Sequence, residues 1–301
     1  MWRSEKTGRA VHFVAGKGGQ HWAIALSAGM PFRSPSALSL MSRAGKPRPF
    51  FRGLGSAMLR FTGVLALLAG PAGAVEYRVV EHAGKRHTVC TVDPARERLD
   101  LFLKDDKGAV WHTFAAIELM LGRQGKRLAF GMNAGMFHAN SEPVGLFIVE
   151  GREIAPLNTA QAEGNFFLKP NGVFAVTDAG ALVVEASRWP AVGGKVRLAT
   201  QSGPMLVIDG ALHPAFRADS KSWLFRNGVG IGPDNQVLFV ISNDPVNFHE
   251  FATLFRDALR CRNALFLDGT LSSLHAPELK RSDSKFPLGP ILGVTAEKPK
   301  P

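Results

Sequence analysis

The chain contains 301 residues, of which 46% are hydrophobic, and it carries a formal net charge of +11. Ten Lys and Arg residues and a single acidic residue, Glu5, fall within residues 1–74, so this segment carries +9 and the remainder +2. A basic excess confined to one end argues against a nucleic-acid-binding surface on the folded body, and no nucleic-acid partner is expected.

Residues 1–57 are basic, rich in Gly, Ser and Pro, and almost free of acidic residues. This composition is typical of a disordered extension, a gene-start artefact or a transit-type presequence. We expect no folded domain before residue 75 and a single domain over residues 75–301.

Residues 58–74 have the outline of a secretory signal peptide. Arg60 gives a positive start, Phe61–Ala69 form a short apolar run, and Ala72-Gly73-Ala74 offers a cleavage site of small residues. The apolar run is shorter than the ~20 residues that a transmembrane helix requires, so no stable membrane span is expected. The segment predicts export, and hence a periplasmic or secreted protein.

From residue 75 onward, short apolar runs alternate with turns that contain Gly, Pro or Asn, and no internal repeat is visible. About a dozen runs predict β-strands: Glu76–His82, Arg86–Asp93, Arg98–Lys104, Leu128–Met132, Val144–Glu150, Glu153–Leu157, Val173–Thr177, Leu182–Glu185, Val196–Thr200, Met205–Ile208, Val229–Ile231, Val237–Ile241 and Ala264–Leu267. The first three read as an antiparallel meander.

Helical spacing of apolar residues predicts helices over residues 111–123 and 247–261, the second with Asn247 as its N-cap. Many strands and few helices indicate an α+β fold. We expect a single domain with a mixed, largely antiparallel twisted β-sheet core flanked by a few helices.

Four loops share one format, because each follows a short apolar strand, contains Gly and offers a polar side chain. They are Asn133-Ala134-Gly135-Met136-Phe137, Gln201-Ser202-Gly203-Pro204, Arg226-Asn227-Gly228-Val229-Gly230 and Leu267-Asp268-Gly269-Thr270-Leu271-Ser272-Ser273. Gly permits close approach of a backbone to a ligand, and loops at strand ends often carry functional groups. Each loop alone is also compatible with an ordinary turn.

In this combination and order, the four loops resemble the phosphodiester glycosidase family, over about Val75 to Val294. Three further stretches, Gly164–Leu168, Pro170–Phe174 and Asn263–Gly269, are similar to bacterial members of that family. The resemblance implies an exported hydrolase that cleaves a glycosyl phosphodiester in envelope or extracellular polysaccharide. Its partner would be a carbohydrate or glycosyl-phosphate substrate.

Three residues depart from the family pattern. Ala134 stands where members often have Gly, and Thr270-Leu271 replace two glycines of the animal enzyme. The loop after Asp268 is therefore expected to be bulkier and stiffer. A second interpretation is a non-catalytic glycan-binding or polysaccharide-export accessory protein that keeps the fold.

The resemblance implies catalytic roles for Asp268, Arg226 and His138. A carboxylate at the end of a buried strand can stabilise an oxocarbenium-like centre, activate water or act as a nucleophile. A guanidinium offers a planar fork of donors to phosphate oxygens. His138 is the preferred acid if one is needed. The alternatives are His249, Glu250 and Glu142.

Further residues of the same loops are predicted to bind substrate. They are Asn133, Gly135, Ser202, Gly203, Asn227, Gly228 and Ser272. Amide and hydroxyl groups would bond sugar hydroxyls or phosphate oxygens, and the N–H groups of Gly228 and Gly230 are interpreted as an anion-binding nest.

The sequence leaves a metal and a disulfide open. No cofactor is certain, and Asp268 and Asn133 are candidates for an oxygen-ligand Ca²⁺ or Mg²⁺ site. Export would allow Cys90 and Cys261 to form a disulfide, and two buried free thiols are the alternative. The spacing of the two cysteines does not decide between these alternatives.

Overall fold

The computed structural model describes residues 12–15, 21–24 and 75–298. The predicted signal peptide over residues 58–74 lies outside the described residues, as does most of residues 1–57. Within residues 1–57, for which the sequence predicts an extension without a fold, strands β1 (His12–Ala15) and β2 (His21–Ile24) pair antiparallel.

Seventeen further strands and two α-helices lie between residues 75 and 298. The strands are β3 (Glu76–His82), β4 (Lys85–Val92), β5 (Arg98–Phe102), β6 (Lys126–Asn133), β7 (Phe147–Val149), β8 (Arg152–Ala155), β9 (Gly172–Thr177), β10 (Gly180–Glu185), β11 (Val196–Ser202), β12 (Met205–Ile208), β13 (Ala211–Leu212), β14 (Asn227–Ile231), β15 (Val237–Ser242), β16 (Ala264–Asp268), β17 (Leu274–Ala276), β18 (Arg281–Ser282) and β19 (Ile291–Glu297). The helices are α1 (Phe114–Arg123) and α2 (Phe248–Thr253), and α2 continues as a π-helical turn over Leu254–Ala258.

These strands form three sheets. A seven-stranded sheet has the order β13-β12-β16-β14-β15-β4-β3, and two five-stranded sheets have the orders β10-β9-β11-β7-β8 and β18-β17-β6-β19-β5. The α+β class is confirmed. The largely antiparallel core that the sequence predicted is also confirmed: all paired strands of the described residues are antiparallel, and those between residues 75 and 298 are divided among three sheets.

The predicted meander is correct only for its first two strands. β3 and β4 form a hairpin whose turn places Ala83 and Gly84 at φ of 51° and 69°, the conformation that tight hairpin turns require. β5 instead leaves for another sheet, where Leu99 opposes Val294 and Leu101 opposes Leu292. Alternation of apolar residues predicts a strand, but it does not specify a partner almost two hundred residues away.

One buried core is shared by the three sheets. Each sheet contributes a phenylalanine to its centre: the rings of Phe130 and Phe239 lie 5.0 Å apart, and those of Phe174 and Phe239 lie 5.7 Å apart. Pairs of aromatic rings in this geometry add stabilisation beyond the burial of their area. The sheets are therefore held in fixed relation around this cluster.

The helices cover the outer faces of two sheets. Thr113 caps α1, and Asn247 caps α2 in a capping box with Glu250, as predicted for Asn247. Phe251 and Phe255 of the second helical segment pack on the seven-stranded sheet. No helix among the described residues is long and apolar enough to cross a bilayer.

The two cysteines are both free and buried. Cys90 belongs to the shared core, whereas Cys261 packs on the opposite, helix-covered face of the seven-stranded sheet. Burial raises the pKa of the Cys261 thiol to about 12, so it stays protonated at neutral pH. Of the two alternatives left open by the sequence, the structure has the buried thiols.

Unfolding at mildly acidic pH is expected to depend on His87. This histidine is buried beside Phe251, its Nδ1 atom has no hydrogen-bond partner, and burial, helped by His82 and opposed by Asp244, lowers its pKa to about 4. The unfolded chain, with a His pKa of ~6.5, then binds the extra proton first, so stability is highest above that value and falls as pH drops toward 4. Between pH 7 and pH 5 the loss due to His87 is about 2 kcal/mol.

Urea-unfolding midpoints at pH 7 and pH 5 measure this effect. The variant His87→Phe keeps a ring against Phe251 but cannot titrate, so its stability is expected to change less than that of the wild type across the same interval. Equal pH dependence in the two proteins would show that His87 is already charged or solvated in the fold.

Candidate active site

Residues from all three sheets meet where four strands end or begin. Asn133 ends β6, Ser202 ends β11 and Asp268 ends β16, while Asn227 begins β14 directly opposite Asp268. Antiparallel pairing of β14 with β16 brings the start of one strand to the end of the other. Four segments that are distant in the sequence are thereby gathered at one end of the shared core.

Two buried asparagines connect these segments. Nδ2 of Asn227 donates to the backbone oxygen and to Oδ1 of Asn133, both at 3.0 Å, and the N–H of Ser273 donates to the same Oδ1 at 2.8 Å. Oγ of Ser272 donates to Oδ1 of Asn227 at 3.2 Å and lies 3.0 Å from the backbone oxygen of Asp268. Buried amides require such partners. These bonds hold the loop that follows Asp268.

The predicted substrate contacts of Asn133 and Asn227 are therefore replaced by internal ones. Asn133 is 3% exposed and Asn227 is 0% exposed, and the Oδ1 acceptor of Asn133 is occupied by two donors. Their side chains position the loop instead of facing a ligand. A metal at Asn133 would have to displace both donors, so this residue does not fit the predicted oxygen-ligand site.

The loop after β11 is packed against its neighbours in the same way. Oγ of Ser202 donates to the backbone oxygen of Leu267 at 3.2 Å, which joins β11 to β16. A methyl group on Gly135 would lie 2.5 Å from the backbone oxygen of Gln201, and one on Gly203 would lie 2.6 Å from Cβ of Asn171. These glycines are required for close packing of the segments, a structural requirement separate from any contact with a ligand.

Asp268 is the carboxylate at this junction, and it is only half-buried. Its Oδ1 accepts from the N–H of Thr270 at 2.6 Å and from the N–H of Leu271 at 2.5 Å. Burial raises the pKa of Asp268, while these backbone donors and, more weakly, the positive charge of Arg226 oppose the rise. The carboxyl group is thus fixed in orientation at the end of β16 and has a raised affinity for a proton.

Arg226 lies beneath this loop and is completely buried. Its guanidinium stacks on Phe248 at 3.8 Å from the ring centroid, Nε donates to the backbone oxygen of Val246 at 3.1 Å, and Nη2 donates to the backbone oxygen of Ser222 at 2.9 Å. Burial lowers the pKa of Arg226 to about 10, so it is still charged at neutral pH, and Asp268 favours that charge.

Only one nitrogen of the Arg226 guanidinium, Nη1 with its two N–H groups, is uncommitted. Nη1 is buried without a hydrogen-bond partner, and a methyl group on Gly269 would lie 3.1 Å from it. The predicted two-pronged phosphate contact is wrong for this arrangement, because Nε and Nη2 already bond the protein. The geometry instead places a fixed positive charge under the turn that begins at Asp268.

The predicted anion nest at Gly228 and Gly230 is also wrong. Both residues lie inside β14, which pairs with β15 on one side and β16 on the other. A methyl group on Gly228 would lie 2.8 Å from the backbone oxygen of Leu265, and one on Gly230 would lie 2.7 Å from Sγ of Cys261. The segment is therefore a strand instead of a loop, and its glycines allow the second helix to pack closely.

Comparison with known proteins agrees with this architecture. The family model for phosphodiester glycosidases matches residues 126–295, which include all four segments. The chain belongs to the phosphodiester glycosidase family. The resemblance that the sequence showed is thereby confirmed.

Two known proteins are similar to this chain. The uncharacterised protein YigE of Escherichia coli K12 is 34% identical over 185 residues, 62% of this chain and 72% of that protein. The catalytic domain of zebrafish N-acetylglucosamine-1-phosphodiester alpha-N-acetylglucosaminidase, auto-inhibited by its pro-peptide, superposes with a TM-score of 0.52 at 13% identity. That match covers 73% of this chain and 81% of the zebrafish chain, and it supports the fold alone.

His138 occupies the segment that follows the Asn133 loop. The backbone N–H of His138 donates to the backbone oxygen of Glu142 at 2.8 Å, and the backbone oxygen of His138 accepts from the backbone N–H of Ser141 at 2.8 Å. The ring is half-buried. Two alternative acids are engaged elsewhere: Glu142 pairs with Lys104 at 2.5 Å, and Glu250 belongs to the capping box of α2.

A metal centre built from the usual side chains has no counterpart in residues 75–298. No three His, Cys, Asp or Glu side chains of this part of the chain lie together in a way that would hold an ion. The site that this member of the phosphodiester glycosidase family offers is a carboxylate above a buried guanidinium.

Sequence reasoning missed the residues that hold Arg226. Phe248 lies in the predicted helix over residues 247–261, and Ser222 lies in a polar stretch without a recognisable motif. Phe248 lies 22 residues after Arg226 in the sequence, and no local pattern links the two. Gln201 shows which signal the sequence did contain, namely a polar residue in a buried strand. Its Oε1 accepts from the backbone N–H groups of Leu146 at 3.0 Å and Asn158 at 2.8 Å, so it joins two segments.

Proposed function

We propose that this protein is a hydrolase that cleaves a glycosyl phosphodiester at the bond between the anomeric carbon and the phosphate oxygen. The observation that carries the proposal is Asp268, a half-buried carboxyl group fixed by two backbone donors, above the buried charge of Arg226. Membership of the phosphodiester glycosidase family supports a carbohydrate substrate.

One carboxylate is sufficient for this reaction. Ordinary glycosidases pair a general acid with a second carboxylate, because an alcohol leaves poorly without a proton. A phosphodiester instead releases a phosphomonoester anion, which is stable and needs little protonation. Asp268 would then act as the base that removes a proton from water, a role that a raised pKa favours.

The balance of the step is simple. The hydroxyl of water bonds to the anomeric carbon, the bond from that carbon to the phosphate oxygen breaks, and the remaining proton passes to Asp268. The products are a free sugar and a phosphomonoester. Arg226, whose charge lies below the turn, would offset negative charge on Asp268 and on the phosphate group.

We also propose export of the protein to the periplasm or the outside of the cell, with a substrate in envelope or extracellular polysaccharide. The support for this is the signal-type pattern of residues 58–74. Secretion of a fusion in which this segment precedes a reporter enzyme would test it. A reporter that stays in the cytoplasm contradicts the proposal.

The purified protein and a glycosyl phosphodiester in water labelled with heavy oxygen provide the test of the activity. Release of free sugar that carries the label supports glycosidase chemistry. Release of a sugar phosphate with the label on the phosphate group would show that the other ester is cut. Binding without any cleavage would favour the glycan-binding alternative.

A further inference from the structure

Two exposed aromatic residues stand immediately before Arg226. Trp223 is 41% exposed and Phe225 is 51% exposed. The other large hydrophobic side chains exposed in residues 75–298 are Val79, Leu119, Ile154 and Leu279, which are far from one another in the sequence. We call residues 221–225 the aromatic lip.

The aromatic lip is firmly attached to the candidate active site. Nη2 of Arg226 donates to the backbone oxygen and to Oγ of Ser222, at 2.9 and 3.2 Å. Leu224 exchanges two backbone hydrogen bonds with Val246, at 3.1 and 2.9 Å. The two aromatic side chains are therefore exposed on a backbone that these hydrogen bonds hold in place.

Side-chain alternation along the chain places Phe225 on the side of the strand junction. Leu224 and Arg226 both reach Gly269, since a methyl group there would lie 3.5 Å from Leu224 Cδ1 and 3.1 Å from Arg226 Nη1. Side chains alternate along an extended segment, so Phe225 faces the opposite side. That side is the one on which Asn227 contacts Asn133 and Ser272.

Positive charge accompanies the rings. Nζ of Lys85 lies 5.6 Å from the centroid of the Trp223 ring, and Lys221 is exposed at the start of the aromatic lip. Asp244 also interacts electrostatically with Lys85. The carboxylate of Asp244 accepts from the backbone N–H of Arg86 at 2.9 Å and forms an ion pair with the Arg86 side chain at 3.4 Å. The combination offers apolar ring faces and cations on one surface.

We propose that the aromatic lip binds a second stretch of the substrate, a glycan chain that carries phosphodiester groups, beside the site of cleavage. This inference rests on the proposed function and assigns to the aromatic lip a binding subsite for the polymer, separate from the group that is cleaved. The apolar faces of sugar rings pack on Trp223 and Phe225, and the ammonium groups of Lys85 and Lys221 lie where phosphate groups of the chain pass.

Binding and cleavage measured on the same variants test the inference. The probes are a capsular polysaccharide with glycosyl-phosphate repeats, neutral dextran, inorganic polyphosphate and a glycosyl phosphodiester with a methyl aglycone. In the double variant Trp223→Ala/Phe225→Ala, affinity for the phosphoglycan is expected to fall at least roughly tenfold. Cleavage of the methyl diester is expected to be unchanged. Lys85→Gln should weaken phosphoglycan and polyphosphate binding most at low salt.

The matched control is Leu119→Ala, which removes an exposed apolar side chain of α1 and should alter neither binding nor cleavage. Unchanged phosphoglycan affinity in the double variant overturns the inference, as does equal binding of dextran and phosphoglycan by the wild type. Sedimentation of the wild type as a dimer that the double variant dissociates also overturns it, because the lip would then face a second copy. If the wild type cleaves no diester, the proposed function fails, but the binding comparison still decides the role of the lip.

Discussion

Replacement of Asp268 by asparagine is expected to lower kcat on a glycosyl phosphodiester by about a thousandfold or more. The amide keeps an oxygen that accepts from the N–H groups of Thr270 and Leu271, so the turn retains its shape. The variant loses the negative charge and the capacity to take a proton. An effect on kcat with a folded loop therefore reports the chemistry of the carboxylate.

The stability of the Asp268→Asn variant should respond differently from its activity. Burial of the Asp268 carboxylate is unfavourable, as the raised pKa indicates, so a neutral amide is expected to leave the unfolding midpoint unchanged or slightly higher. Initial rates and urea unfolding of the same preparation measure both quantities.

A matched control is Asp234→Asn, which makes the same change in the exposed turn between β14 and β15. It should alter neither the rate nor the stability. An Asp268→Asn protein with nearly full kcat would remove the carboxylate from the reaction, and with it the proposed mechanism.

The fold class was accessible from the sequence because strands and helices leave local patterns. The alternation of β3 and β4 and the Asn247 cap were read correctly from neighbouring residues. The assignment of β5 to a separate sheet could not be predicted, because its partner β19 lies at the other end of the domain in sequence. Strand partners are decided by packing around the shared core, which no short window of sequence contains.

The candidate site was likewise predictable in its local patterns but not in its long-range contacts. Its loops were recognisable by their glycines and polar side chains, and the structure gathers Asn133, Ser202, Asn227 and Asp268 at one junction. The fate of each polar group was not visible, because an asparagine that binds a ligand and one that fastens two strands look identical in sequence. Burial distinguishes them: Asn227 is enclosed, while Asp268 is only partly buried.

Replacement of Arg226 is expected to affect both stability and the pH dependence of activity. In Arg226→Met the side chain still packs on Phe248, but the hydrogen bonds from the guanidinium to the backbone oxygens of Val246 and Ser222 are lost. The oxygen of Val246 keeps only its bond from the N–H of Leu224. Hydrogen bonds from a charged donor contribute ~1.5–3 kcal/mol each, so the loss of these two bonds is expected to cost about 3 kcal/mol in total. Urea unfolding measures this loss.

The second effect follows from charge. Arg226 favours the ionised form of Asp268, so its removal raises the pKa of that carboxyl group further. A reaction that requires ionised Asp268 then loses its activity at a higher pH on the acid side, which a profile of kcat against pH would measure. Arg226→Lys keeps the charge without the fork of donors, so it is expected to lose stability but to keep the acid limb near its original position.

Arg217→Met is the matched control, since Arg217 is an exposed arginine paired with Asp219. It should change neither the unfolding midpoint nor the pH profile. If Arg226→Met unfolds too readily for kinetics, Arg226→Lys alone decides the point, because a shifted acid limb in that variant contradicts a purely electrostatic role. An unshifted profile in a folded Arg226→Met protein would show that the guanidinium supports the turn mechanically and does not set the charge of Asp268.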